Sequence, residues 1–185
     1  TVLNRNKIRA GVEWMPQVQG ETGVVSFPYF RDGEIINYKH RTRDKAFRME
    51  AGAERILYGF DDIGKVLVIV EGEMDKLSVE EAFTESCVSV PDGAPSPNTQ
   101  CYSTKFEFLD SASDKLAGVD EFILAVDNDA PGRRLHDELV RRLGAEKCRF
   151  VEWPEGCKDA NDVLVKHSKG RLAEVLANAK FVPVA

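Results

Sequence analysis

Apolar residues in this chain come in short runs that stop abruptly at charged or turn-forming residues. In the first third, Val24-Val-Ser-Phe-Pro-Tyr-Phe30 and Glu34-Ile-Ile-Asn-Tyr-Lys39 flank Arg31-Asp32-Gly33. Two β-rich runs around a glycine-containing turn predict a hairpin. From residue 63 the pattern changes. Val66-Leu-Val-Ile-Val70 reads as a strand and leads through Glu71-Gly72 into a helical pattern over residues 74–83. A short strand at 87–90 ends at the turn Pro91-Asp92-Gly93, and residues 94–104, rich in Pro, Ser, Asn and Thr, read as a loop. A helical stretch near 105–117 leads to a strand at 121–126. Ala130-Pro131-Gly132 opens a helix over 133–143 that stops at Gly144, a strand follows at 148–153, and a last helix spans 171–179. Alternating strands and helices predict an α/β unit with a mainly parallel sheet. The chain thus divides into a small β-rich subdomain, residues 1–62, and an α/β domain, residues 63–185.

The same runs single out a set of acids. Phe122-Ile-Leu-Ala-Val126 ends in Asp127-Asn-Asp129, and acids two apart on a strand end point to one side. If this strand lies parallel to the one ending at Glu71, then Glu71, Asp127 and Asp129 converge at one sheet edge, where ligands of such sheets gather. Clustered carboxylates repel one another, and a divalent cation offsets that cost. Asp159, in Cys157-Lys-Asp-Ala-Asn-Asp162, is a fourth candidate, with helix N-capping as its other reading. One or two magnesium ions held here, with manganese as a substitute, suit phosphoryl transfer, because they activate an attacking hydroxyl and stabilise the leaving oxygen.

Charge adds a second feature. A net charge of -6 argues against a uniformly basic nucleic-acid binder. Residues 38–48 nonetheless hold Lys39, Arg41, Arg43, Lys45 and Arg48 against the single acid Asp44. On an extended chain the first four share a face, giving either a stripe for polyphosphate and DNA or a solvated, aggregation-resistant edge strand. Arg133 and Arg134 open a helix beside the acids, either to meet a phosphate or to counter local charge. The 185 residues, 43% hydrophobic, allow one domain with a small companion. No apolar stretch reaches the roughly 20 residues of a membrane helix, so no membrane association is expected. Neither a signal-peptide layout nor a phosphate loop of the motor ATPases is seen. The chain begins at Thr1, as a fragment of a longer protein would. Cys87, Cys101, Cys148 and Cys157 form no Cys-x-x-Cys pair, which fits scattered reduced thiols rather than a zinc site. His40, His136 and His167 are not spaced as a metal set, His136 is expected in solvent, and Trp14 and Trp153 are expected to pack.

Taken in order, Glu71-Gly-Glu-Met-Asp75, Val90-Pro-Asp-Gly-Ala94, Asp127-Asn-Asp-Ala-Pro-Gly132 and Lys158-Asp-Ala-Asn161 resemble the TOPRIM domain of phage-type primase–helicases, the Twinkle-like group with its plant organellar members. Residues 36–48 and Leu57-Tyr-Gly-Phe60 resemble the small N-terminal subdomain of the same primase module. The resemblance implies a Rossmann-like TOPRIM fold preceded by that β-rich subdomain. It implies a DNA-templated RNA polymerase that makes short primers on single-stranded DNA from ribonucleoside triphosphates. Glu71 is then expected at the catalytic centre, as a metal-site acid or general base, with Asp127, Asp129 and Asp159 as magnesium-site acids. Lys39 and Lys45 are expected to hold nucleotide phosphates or template, with Arg41, Arg43 and Arg48 as neighbours in that role. A zinc-binding domain and a helicase motor are expected elsewhere in a longer chain or in trans. The compartment would be the cytoplasm for a bacterial or phage protein and the organelle matrix for a plant one. The competing readings are another TOPRIM enzyme such as a metal-dependent nuclease, a phospho-receiver, which would not need the basic subdomain, and a non-catalytic DNA-binding module.

Overall fold

The structure, a computed structural model, describes residues 1–183. The chain divides into two compact units, Thr1–Arg55 and the part from Ile56 onward. The division falls before residue 62 because Ile56, Leu57, Tyr58 and Phe60 are all buried and Tyr58 bridges to Ser89, deep in the second unit.

In the first unit a short helix, α1 (Val2–Arg5), precedes a four-stranded antiparallel sheet: β1 (Arg9–Met15), β2 (Gly20–Arg31), β3 (Glu34–Thr42) and β4 (Phe47–Met49), in that spatial order. The hairpin between β2 and β3 turns at Asp32-Gly33, both with positive φ, the backbone a primed turn requires. Glu13 of β1 pairs with Arg48 of β4 at 3.1 Å, and Gln17 donates to the Phe47 carbonyl at 2.8 Å. First and last strands can meet in this way only in a strongly coiled sheet, the natural result of strand twist. Trp14 does not pack as its size suggests: it lies in β1 and is 55% exposed.

The second unit contains β5 (Val66–Val70), α2 (Glu73–Ala82), β6 (Cys87–Ser89), α3 (Tyr102–Lys105), α4 (Glu107–Ser111), α5 (Ser113–Ala117), β7 (Glu121–Leu124), α6 (Ala130–Leu143), β8 (Cys148–Phe150), α7 (Ala160–Lys166), α8 (Lys169–Ala177) and β9 (Lys180–Phe181). Its sheet runs β6-β5-β7-β8-β9, parallel except for β9. The single helix expected at 105–117 is three short ones. Phe106 and Phe108 are both buried, and residues two apart cannot share one helical stripe, so the chain resets at Phe106 and Ala112.

Val68, Val70, Ile123 and Ala125 pack with Val79 of α2, Ala160 and Val163 of α7, and Leu172 and Leu176 of α8. The alternate residues Leu67, Ile69, Phe122 and Leu124 are equally buried and face the other way. The helix after β5 therefore lies on one face. The right-handed crossover from β7 to its neighbour β8 puts α6 on the other, with Leu135 and Leu139 buried. The crevice beyond the ends of β5 and β7 is thus the point where successive helices part. Among the described residues no helix is long and apolar enough to cross a membrane.

Candidate metal centre

Glu71 follows directly on β5, half-buried at the mouth of the crevice. Its Oε1 accepts a hydrogen bond from the Asp127 amide at 3.0 Å. Burial, then the charge of Asp127, push its carboxyl up to about 7, with the Asp127 amide opposing. Gly132 makes this approach possible. A Cβ there would stand 1.9 Å from the Asp127 carbonyl oxygen and 2.7 Å from Glu71 Oε1, so the first turn of α6 seats against both only because it has no side chain at that position.

Asp127 and Asp129 do not lie on the strand, because β7 ends at Leu124. They belong to the loop that opens α6, and they part company there. Asp129 caps α6, its Oδ1 accepting from the Gly132 amide at 2.8 Å. Asp127 joins Asp75 and Asp159: each of the three offers a carboxylate oxygen, and these oxygens lie within 4.8 Å of one another. Asp159 serves both roles weighed for it. Its Oδ1 accepts from the Asp162 amide at 2.7 Å as the cap of α7, while it remains in the triad.

Asp75, the last residue of the Glu71-Gly-Glu-Met-Asp75 motif, joins the site although no strand end points to it. It lies in the first turn of α2, 8% exposed, and its Oδ1 accepts from the Asn161 amide at 2.9 Å. Burial, then the charge of Asp159, hold its carboxyl well above the ordinary range. The sequence signal for it is its place one turn before Ser78 and Val79, on the stripe of α2 that is buried in the core. Asp127 is raised mainly by burial, an effect countered by its hydrogen bond from Lys158. Lys158, next to Asp159 in the chain, places Nζ 2.9 Å from Asp127 Oδ2 and 3.4 Å from Asp159 Oδ2. That pairing pushes its ammonium above the usual lysine range. The backbone ties the segments together, since the Asn128 amide donates to the Lys158 carbonyl at 2.8 Å.

Three carboxylates drawn into a half-buried space, supplied by a helix, a loop and a helix cap, form a hard oxygen donor set suited to a divalent cation. Beside them is a cleft of about 510 Å³, lined by Asp127, Asn128, Arg133, His136 and Trp153 among others. Arg133 therefore opens onto the space next to the triad. His136 is only 25% exposed, not free in solvent, and its ring meets Phe150 edge-on. Trp153 does pack, donating to the Val126 carbonyl at 2.8 Å.

The basic segment differs from an extended stripe. Lys39 and Arg41 share a face of β3 and stand over the Phe47 ring, at 5.0 and 5.9 Å. After Thr42 the chain reverses: the Thr42 amide donates to the Ala46 carbonyl, and Lys45 takes a φ of +62°. Arg43 and Lys45 are thus exposed turn residues. Arg48 pairs with His40 across the strands, on the opposite face, and is bound to Glu13.

Residues 65–152 match the family model described as the Toprim domain. The chain therefore carries a Toprim domain. The resemblance to the primase modules of phage-type primase–helicases extends over nearly its whole length. It is 39% identical to the Twinkle homolog protein, chloroplastic/mitochondrial, of Arabidopsis thaliana over 98% of this chain and 27% of that protein. It is 40% identical to the primase homolog protein of Arabidopsis thaliana over 87% of this chain and 52% of that one. The chain thus spans about a quarter to a half of the length of these relatives. In fold it matches a chain of the bacteriophage T7 structure in which lagging-strand DNA polymerase meets primase domains bound to an RNA/DNA hybrid and dTTP. The TM-score is 0.74, with 24% identity over 97% of this chain and 86% of that one.

Proposed function

We propose that this chain is a primase core that makes short RNA primers on single-stranded DNA by metal-dependent nucleotidyl transfer. The observation that carries the reading is the convergence of Asp75, Asp127 and Asp159 at the crevice between β5 and β7, with Glu71 beside them. Magnesium held there, with manganese as substitute, would neutralise charge on the triphosphate and its leaving group. Glu71, its carboxyl pushed up to about 7, is matched to take a proton from an attacking hydroxyl near neutral pH. Asp129 holds the first turn of α6 in place against the loop that carries Asp127. Arg133 faces the adjoining cleft as a phosphate contact. Arg41, with Arg43 and Lys45 in the following turn, forms the cationic surface for template or nucleotide, and Lys39, buried beneath it, adds to the positive potential there. The unit Thr1–Arg55 acts as the template-handling subdomain and the part from Ile56 onward as the catalytic one.

On this reading the natural partners are a helicase domain and a zinc-binding domain, in the same longer chain or in trans. The organellar name of one relative favours an organelle matrix, and the phage likeness a cytoplasm. The test is incubation of the chain with a single-stranded template, ribonucleoside triphosphates and magnesium. Short oligoribonucleotides that require template support the proposal. Template cleavage would point to a nuclease instead, and binding without products to a DNA-binding module.

A further inference from the structure

We propose that Lys158 is an exchangeable cation. Its ammonium neutralises the acid cluster when no divalent ion is bound, and moves onto the phosphates of the incoming nucleotide when one is. The first half stands on geometry alone; the second rests on the nucleotidyl-transfer reading.

Lys158 Nζ lies 2.9 Å from Asp127 and 3.4 Å from Asp159, two of the three acids whose oxygens converge within 4.8 Å. A small divalent ion bound through those oxygens would sit about 2 Å from each. It would then be within a few ångströms of the ammonium, two like charges contending for the same ligands. The lysine is built to yield. Its backbone is fixed, with the amide donating to Asp162 Oδ2 at 3.1 Å and the carbonyl accepting from Asn128. Its side chain is 53% exposed, on a flexible four-carbon stem that can swing while its root stays in place. A triphosphate bound at the same ion would offer the displaced charge its nearest anion. The site would thereby remain balanced in both states, and nucleotide would favour ion binding by giving the lysine a destination.

The experiment measures manganese binding by electron paramagnetic resonance in the wild type, Lys158→Met and Lys158→Arg. Binding of inorganic tripolyphosphate is then measured at saturating manganese. Lys158→Met should bind manganese about tenfold tighter and tripolyphosphate about tenfold weaker, with Lys158→Arg close to wild type in both. Lys158→Gln provides a second neutral side chain should the methionine variant lose its fold. Manganese affinity that is unchanged or weaker in the neutral variants overturns the exchange. Tighter manganese with unaltered tripolyphosphate affinity overturns the phosphate half. Primer synthesis is assayed separately, and its absence from the wild type would remove the primase reading while leaving the manganese result standing.

Discussion

The two units treat charge in opposite ways. In the β-rich unit most cations keep near the surface and find local company: Arg41 over the ring of Phe47, Arg48 against Glu13, Arg31 against Glu54, with Lys39 the buried exception at 9% exposure, its ammonium over the same Phe47 ring. Such arrangements cost little and contribute little by themselves. In the Toprim unit the acids are drawn inward, Asp75 to 8% exposure and the Asp127 and Asp159 side chains to 15% and 13%. Burying like charges together opposes folding. The first arrangement gains value when a polyanion arrives, the second when a cation does. Salt and DNA should therefore perturb the first unit, and chelators and pH the second.

The largest expected effect comes from removing an acid from the triad. Asp75→Asn should reduce primer synthesis on the order of 10³-fold, yet raise the melting temperature in EDTA, since an ionisable group beside Asp127 and Asp159 becomes a neutral amide while an oxygen for the Asn161 amide remains. A fall in both quantities would mean that Asp75 is structural, and the contrast between the units would lose its basis. Glu71→Gln should lower synthesis by about 10²-fold or more with DNA affinity unchanged in a fluorescence anisotropy titration. Parallel loss of affinity would count against a role in chemistry. Gly132→Ala tests the seat of α6. A Cβ 1.9 Å from the Asp127 carbonyl must push the helix or the loop aside, which should cost about 1–3 kcal/mol in urea unfolding and weaken manganese binding. Normal metal affinity in that variant would show that the site does not depend on this close approach.

On the other side of the comparison, Arg41→Ala with Arg43→Ala should weaken single-stranded DNA binding and flatten its salt dependence by about one unit per lost phosphate contact. Affinity that stays constant across salt concentrations would sink the cationic-surface idea. The smallest effect is on stability. The folded-state carboxyl of Glu71 titrates at about 7, above its ordinary 4.5. The fold therefore holds its proton more tightly than the unfolded chain does. The stabilisation this gives is complete below about 4.5 and is lost as pH rises through about 7. Melting temperatures in EDTA should decline modestly across that window, and magnesium should reverse the decline. A flat profile without metal would contradict the upward push on the Glu71 carboxyl.

Much of the site could be read from the chain because strand ends announce themselves. Val66 to Val70 stops at Glu71, and Phe122 to Val126 runs into Asp127, so their meeting at one rim follows from pattern and parallel topology. Asp75 escaped selection because an acid inside a helix looks solvated unless the buried stripe is known, and that depends on α7 packing against it. Lys158 is not legible in the chain because nothing local indicates which of its neighbours its long side chain will reach. The basic stripe failed at Thr42, where a reversal held by the Thr42 hydroxyl accepting from the Ala46 amide replaced the expected extension. The fold class was readable because periodicity reports it directly, whereas the breaks at Phe106 and Ala112 reflect tertiary packing that no local preference encodes.

One oxygen of Asp75 and one of Asp159 are already anchored by main-chain amides of the 161–162 turn. These carboxylates therefore have few orientations left to lose, and capturing an ion requires almost no rearrangement of the polypeptide around them. The speed of loading should then be governed by how quickly the metal sheds its own water, so that manganese would load faster than magnesium into the same cradle.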